Sequence, residues 1–278
     1  MVNAQADDRA SPYMIAYLAN LDGYWQVEVM TAGGEGQRQL THNAYDKMHL
    51  SGYLNDRQVL VNGLQGELVR VDSDTGQEQA IHYSGPMVAD AAISPDGTMI
   101  AFTTNSGDIN DNNDIWIMRA DGTKPQRLTA IPNMQIEPAW SADGQWIYFS
   151  SGKGGVSHDI WRVSIDGSQS EAISSAGLYH FDVAVATDGR LAFSNNRTGD
   201  YDIYVRMPDG KTQAVAPQAG LDAHPSWSPD GRQLLFDSLR GGVVNIWRYD
   251  FTSKQLTQLT HSKDGARFPV WLQKEVRP

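Results

Sequence analysis

Four Asp-Gly pairs recur along the 278-residue chain, at Asp96-Gly97, Asp143-Gly144, Asp188-Gly189 and Asp230-Gly231, spaced 47, 45 and 42 residues apart. That period is too long for one hairpin and suits a unit of four short strands. Each pair sits in the same context. A short strand ("PAW", "PSW") enters an S-x-D-G turn (A-T-D-G at Asp188), whose Asp and Gly supply a tight reversal. A second strand follows ("WIYFS", "LLFDS", "MIAFTT", "RLAFS"), then a loop rich in Gly and Asn, then a third strand ("DIWIM", "DIWRV", "DIYVR", "NIWRY"). A further turn, at Asp121-Gly122, Asp166-Gly167 or Asp209-Gly210, leads to a last strand that often closes on Leu-Thr, as at Leu128-Thr129 and Leu259-Thr260. The strands are β-branched and aromatic, and nothing between them has helical periodicity.

Two fainter copies precede these four. Residues 13–41 supply only second, third and fourth strands, and residues 49–81 supply all four. At the other end, "ARFPVWLQ" (266–273) is a first strand with nothing behind it, so the tail completes the unit that the head leaves short. The predicted fold is all-β, a six-bladed β-propeller with four antiparallel strands per blade. Closing the first blade from both termini protects edges that an open array would leave bare. We read residues 1–278 as a single propeller domain with a flexible N-terminal segment over 1–12. The blades fall at about 13–41 plus 266–273, 49–81, 88–129, 135–174, 180–216 and 222–260.

The repeat, as in "HPSWSPDG" and "SADG…DIW", resembles the β-propeller repeats of the TolB family over Tyr13 to Trp271. Similar blades occur in the propeller domains of dipeptidyl and prolyl oligopeptidases and in oligogalacturonate lyases. The resemblance implies a scaffold, and for TolB-like chains a protein partner in an envelope or transport complex. Three departures bear on function. TolB proteins carry an α/β domain before the propeller, for which this sequence has no room. The peptidases append a hydrolase domain, and no G-x-S-x-G nucleophile elbow occurs here. The His-rich metal signature of the lyases has no residue-by-residue match.

Composition narrows the partners. A net charge of −11 argues against nucleic acid, which needs a concentrated basic footprint, and no apolar stretch is long enough to span a bilayer. The absence of Cys excludes disulfides and thiolate chemistry. The start "MVNAQADD" lacks a signal-peptide core, and its "AQA" fits either the scar of a removed signal or a plain cytoplasmic start. A periplasmic and a cytoplasmic location therefore both stay open.

In a propeller of this strand order the Asp-Gly turns lie on one face. The second-to-third loops and blade-to-blade links lie on the other. All seven histidines (His42, His49, His82, His158, His180, His224, His261) fall in or beside those irregular loops, the usual home of binding sites. Aligning the blades on the residue three before the Trp of "HPSWSPDG" gives His49, Asp90, Glu137, Asp182, His224 and Phe268. We expect these six at the mouth of the central channel as a binding site, with the side chains outside the inter-blade core. The first five also form a candidate metal set, and one divalent cation (Ca, Mn or Zn) in the channel is the cofactor they would take. Without a cation, crowding should raise at least one carboxylate pKa. An alternative calcium loop is Asp108, Asn110, Asn112 and Asp114, although Asn113 and Arg119 stand where an EF-hand needs Gly and Glu.

The repeated acid of "DIW" (Asp114, Asp159, Asp202, with Asn245 and Glu67 in place) is expected to serve each blade by bonding the preceding loop. Trp116, Trp161, Tyr204 and Trp247 should pack between blades. Lys153, Arg197 and Arg240 recur before Gly as scaffold cations, and Tyr24, Trp25, Tyr45, Tyr83, Tyr179 and Tyr201 are candidates for a recognition surface. The expected function is a non-enzymatic scaffold binding a protein or peptide through the loop-rich acidic face and channel mouth. The alternative is a metal-dependent, lyase-like carbohydrate-active enzyme using the His/carboxylate ring.

Overall fold

The ring is closed as the split repeat requires. The structure is a computed structural model that describes residues 11–52, 57–104, 113–152, 157–174, 178–218 and 220–273. Blade one holds β1 (Tyr13–Leu21), β2 (Tyr24–Thr31) and β3 (Arg38–Gln39); blade two holds β4 (Lys47–Gly52), β5 (Gln58–Gly63), β6 (Leu68–Asp72) and β7 (Glu78–Ile81). Blade three holds β8 (Ala91–Ile93), β9 (Met99–Thr104), β10 (Asp114–Arg119) and β11 (Gln126–Arg127). Blade four holds β12 (Gln135–Trp140), β13 (Trp146–Gly152), β14 (His158–Ser164) and β15 (Ser170–Ala172). Blade five holds β16 (His180–Val185), β17 (Leu191–Asn195), β18 (Asp202–Arg206) and β19 (Thr212–Ala214). Blade six holds β20 (Asp222–Trp227), β21 (Gln233–Ser238), β22 (Asn245–Asp250) and β23 (Leu256–Gln258). The last strand, β24 (Ala266–Gln273), pairs antiparallel with β1, from Tyr13 opposite Gln273 to Ala19 opposite Ala266, and becomes the inner strand of blade one.

The second strands read as unbroken apolar runs because both of their faces are buried. Successive side chains point to opposite faces of a strand. In β1, Ile15, Tyr17 and Ala19 therefore pack toward blade six, while Ala16 and Leu18 pack toward blade two. The same alternation in β9 sends Ile100 and Phe102 toward blade two and Ala101 toward blade four. The core is accordingly six apolar clusters, one at each blade interface. Trp116, Trp161, Tyr204 and Trp247 each join one of them, as expected from sequence.

Two repeated devices set the blade. In the S-x-D-G turn, Ser94 donates to Asp96 Oδ1 at 2.6 Å and accepts from the Met99 N–H at 2.9 Å, and Ser141 and Ser228 repeat both bonds. The turn glycines have φ near +70° (Gly97 73°, Gly144 68°, Gly231 68°), which a β-carbon disfavours. The Leu-Thr ending is the second device. The Thr hydroxyl accepts the N–H that follows the third-strand acid or the amide in its place (Gln26, Asn245), in Thr41 to Val27, Thr129 to Ile115 and Thr260 to Ile246, with Ser174 doing so for Ile160. This corrects the expected role of the "DIW" acid in part. Asp114 and Asp159 bond the hydroxyl at the end of the fourth strand instead, Asn245 bonds both that hydroxyl and the preceding loop at Val243, and Glu67 and Asp202 reach the preceding loop as expected, at Gln65 and Thr198.

Candidate functional site

The aligned position is a bulge. In β12, β16 and β20 the pairing register slips around Glu137, Asp182 and His224, and in β24 it slips around Phe268. All four residues take left-handed backbone, with φ of 58°, 56°, 50° and 54°. Such φ values cost non-Gly residues free energy unless the surroundings hold them, and bulges re-aim the side chain they carry. Here the holding group is a carboxylate. Asp90 Oδ2 accepts the Glu137 N–H (3.3 Å), Glu137 Oε2 accepts the Asp182 N–H (2.6 Å), and Asp182 Oδ2 accepts the His224 N–H (3.3 Å). In blades three, four and five the side chain thus caps the strained backbone of the next blade.

Blade six breaks the pattern, since His224 offers no carboxylate to blade one. Asp237 Oδ2, from β21, takes over and accepts the Phe268 N–H at 2.8 Å. Sequence reasoning missed Asp237. Its signal was an acid in "LLFDS" at the register held by Asn62, Thr103, Ser150 and Ser194 in other blades. The ring residues therefore join blades. Their ionisable members stay outside the apolar inter-blade clusters, whereas Phe268 packs into the one between blades one and two.

The electrostatics follow from the crowding. His224 Nδ1 lies 2.7 Å from Asp237 Oδ2, and its Nε2 lies 3.6 Å from Asp182 Oδ1. Burial opposes its imidazolium, but Asp182, Asp237 and Glu137 together overcome that and raise its pKa to about 9. Glu137 is pushed well above the ordinary carboxylate range, first by burial and then by Asp182 and Asp90. The expected raised carboxylate is therefore Glu137. Burial lowers the pKa of His49, and its Nδ1 has no hydrogen-bond partner. Phe268 lies against the imidazole of His224 (centroids 3.6 Å apart) and edge-on to His49 (5.2 Å).

These groups stand at one end of a cavity of about 230 Å³. Its walls are the first strands, running from His49, Glu137, Asp182, His224 and Phe268 to Pro95, Ala142, Thr187 and Pro229 in the first-to-second-strand turns. Sequence placed the ring at a mouth on the loop face. In the structure it stands at the loop-face end of that cavity, whose walls run from there toward the Asp-Gly turns. Asp90 lies outside that lining, at the foot of β8, where Thr103 holds it (3.1 Å).

The fit to a divalent cation is poor. One oxygen of each of Asp90, Glu137 and Asp182 already accepts a backbone N–H, burial and the neighbouring carboxylates push the Glu137 pKa well above the ordinary range, and the imidazolium of His224 is favoured beside Asp182 and Asp237. Among the described residues no three His, Asp or Glu side chains group as metal donors. For the calcium-loop alternative, Asp108, Asn110 and Asn112 lie outside the described residues. Asp114 is fully buried against Arg127 (2.6 Å) and Thr129, which removes it from any such loop. Lys153 also lies outside the described residues. Arg240 is scaffold, buried on Asp222 at 2.6 Å, and Arg197 stands over the ring of Tyr204. Of the loop aromatics only Tyr24 is exposed; Tyr83 packs on Phe102, Tyr45 covers Lys47, and Tyr179 and Tyr201 cluster around Phe181.

A second feature of the loop face was not read from sequence. The exposed large apolar residues are Tyr24, Met48, Leu64, Met87, Met134, Leu221, Leu239 and Val243. Every one lies in or beside a second-to-third-strand loop or a blade-to-blade link. The Asp-Gly face carries none of them among the described residues.

Comparison with known proteins agrees with the blade geometry. The TolB beta propeller domain family (PD40) matches residues 63–190. The chain carries TolB-type propeller repeats. A protein TolB homolog of Chlorobium luteolum is 28% identical over 163 residues, covering 57% of this chain and 36% of that protein. The chain thus spans about a third of the length of that relative. The crystal structure of TolB from Acinetobacter baumannii superposes with a TM-score of 0.80 at 19% identity, covering 94% of this chain and 67% of that one. An oligogalacturonate lyase in complex with manganese superposes with a TM-score of 0.62 at 12% identity, covering 90% of this chain and 74% of that one, which shows the shared fold alone.

Proposed function

We propose that the protein is a non-enzymatic binding scaffold that takes a protein or peptide partner on its loop-rich face. The observation that supports this reading is the one-sided distribution of exposed apolar side chains. Leu64 and Met87 are 59% and 62% exposed, and with the other six they gather on the face opposite the hydroxyl-capped Asp-Gly turns. Apolar groups concentrated on one face of a rigid scaffold mark an interaction surface, and loops there can vary without disturbing the blades. The TolB-type repeats support the same reading, as does a ring whose carboxylates already serve the backbone. No helix is long and apolar enough to cross a membrane among the described residues.

Site-specific photo-crosslinking in the native host tests it. A photoreactive residue at Leu64 or Met87 should give discrete adducts, lost when the other position is changed to Asp. The same residue at Thr123 or Ser168, on the opposite face, should give none. Adducts from the turn face alone, or from neither face, would overturn the reading.

A further inference from the structure

Arg267 is the second residue of β24, beside the ring at its loop-face end. Its guanidinium carbon lies 4.0 Å from the centroid of Trp25 and 5.4 Å from that of Phe268. Nε is buried with no acceptor, and no described residue forms a hydrogen bond or ion pair with the terminal nitrogens, which are not occluded. Two acids stand near enough to act on its charge, Asp237 and Asp46. Neither forms a hydrogen bond or ion pair with it, and each accepts elsewhere through one oxygen. Asp46 Oδ1 accepts the Trp25 N–H at 2.8 Å, and Asp237 Oδ2 serves Phe268 and His224. Arg240 shows what this chain does with a structural guanidinium. It is bound to Asp222, the Ser238 hydroxyl (2.8 Å) and the Ala216 carbonyl (3.3 Å).

Trp25 is itself held in place. Gly265, at φ +113°, packs so close that a β-carbon there would lie 3.0 Å from the Trp25 ring. The guanidinium is therefore stacked, partly desolvated and unpaired, the state in which a planar fork binds a carboxylate with the least loss of freedom. Exposed apolar residues lie on the neighbouring elements: Tyr24 (41% exposed) adjoins Trp25 in β2, and Met48 (36% exposed) stands at the start of β4 in the next blade.

We propose that Arg267 is the docking point for a carboxylate of the partner, supplied by an Asp or Glu flanked by apolar residues. The inference rests on the loop face being the partner face. A run of acids is the wrong partner for a chain of net charge −11, because long-range repulsion would oppose its approach. A single carboxylate among apolar residues meets both the cation and its rim.

The test follows the Arg267 Nε–H resonance by NMR during titration with acetyl-Leu-Glu-Leu-amide, acetyl-Leu-Gln-Leu-amide and inorganic phosphate. The Glu peptide should shift the resonance saturably, and the Gln peptide and phosphate should bind at least about tenfold more weakly. Arg267→Gln should abolish the matching shift at the Trp25 indole, and Arg267→Lys should weaken it, with both variants checked by thermal melting. An equal response to Glu and Gln peptides, or no response to either, overturns the proposal. A response to phosphate as strong as to carboxylate overturns it in favour of a general anion site. If adducts from Leu64 and Met87 persist unchanged in Arg267→Gln, the anchor falls while the loop-face reading stands. If those adducts are missing from the parent protein, the loop-face reading itself has failed.

Discussion

The imidazole of His224 is the group whose perturbation reads the ring most directly. Its pKa lies at about 9 against an ordinary 6.5. At about 1.4 kcal/mol per pKa unit, the folded state gains roughly 3 kcal/mol from binding that proton. Because the folded pKa is the higher one, this stability is fully present below pH 6.5 and is lost as pH rises toward 9. Asp237→Asn removes the nearer of the two carboxylates while leaving an oxygen to accept the Phe268 N–H. A charge-assisted hydrogen bond contributes about 1.5–3 kcal/mol. The lower end applies, since the His224 side chain is 26% exposed and Asp182 remains 3.6 Å away. The variant should lose about 1.5 kcal/mol at pH 6 and almost nothing at pH 9.5. Urea denaturation across that range measures it, and the His224 Hε1 titration should move from near 9 toward the neutral range. A parent protein equally stable at pH 6 and 9.5, or a His224 that titrates near 6.5, would refute the reasoning.

Three further outcomes follow from geometry already described. Glu137→Gln should change stability at pH 7 by less than about 0.5 kcal/mol, because a neutral acceptor of the same shape still meets the Asp182 N–H; urea midpoints of parent and variant settle it. Thr129→Val should cost about 1–3 kcal/mol in the same assay, since it strips the buried Ile115 N–H of its acceptor. Gly144→Ala should lower stability by about 1 kcal/mol, as an Ala must adopt φ 68° in the turn, while leaving the far-ultraviolet circular dichroism unchanged.

Much of the architecture was legible because repetition does the work of an alignment within one chain. The Asp-Gly spacing, the orphan strand "ARFPVWLQ" and the headless first repeat together imply a closed ring, and β24 pairs with β1 as they require. Blade alignment also found four residues that share left-handed backbone, although nothing in a one-dimensional pattern announces a bulge. His49 shares the place without sharing the conformation, since its blade slips one residue earlier, at Met48. Asp237 was hidden because it sits inside an apolar strand, where an acid reads as an oddity until a missing carboxylate next door explains it. Arg267 was hidden for a related reason. Strand period places it, but only the three-dimensional positions of Asp46 and Asp237 show that neither pairs with it.

The closure of blade one also constrains how the molecule is made. β1 is nine residues long and apolar, and one of its edges has no partner until β24 leaves the ribosome, more than two hundred residues later. At ordinary rates of synthesis that interval lasts tens of seconds. During it, β1 is a bare strand edge open to pairing with another nascent chain. β24, so far behind β1 in the chain, therefore protects the edge it closes, and synthesis slowed or interrupted before it should appear as aggregates seeded at blade one.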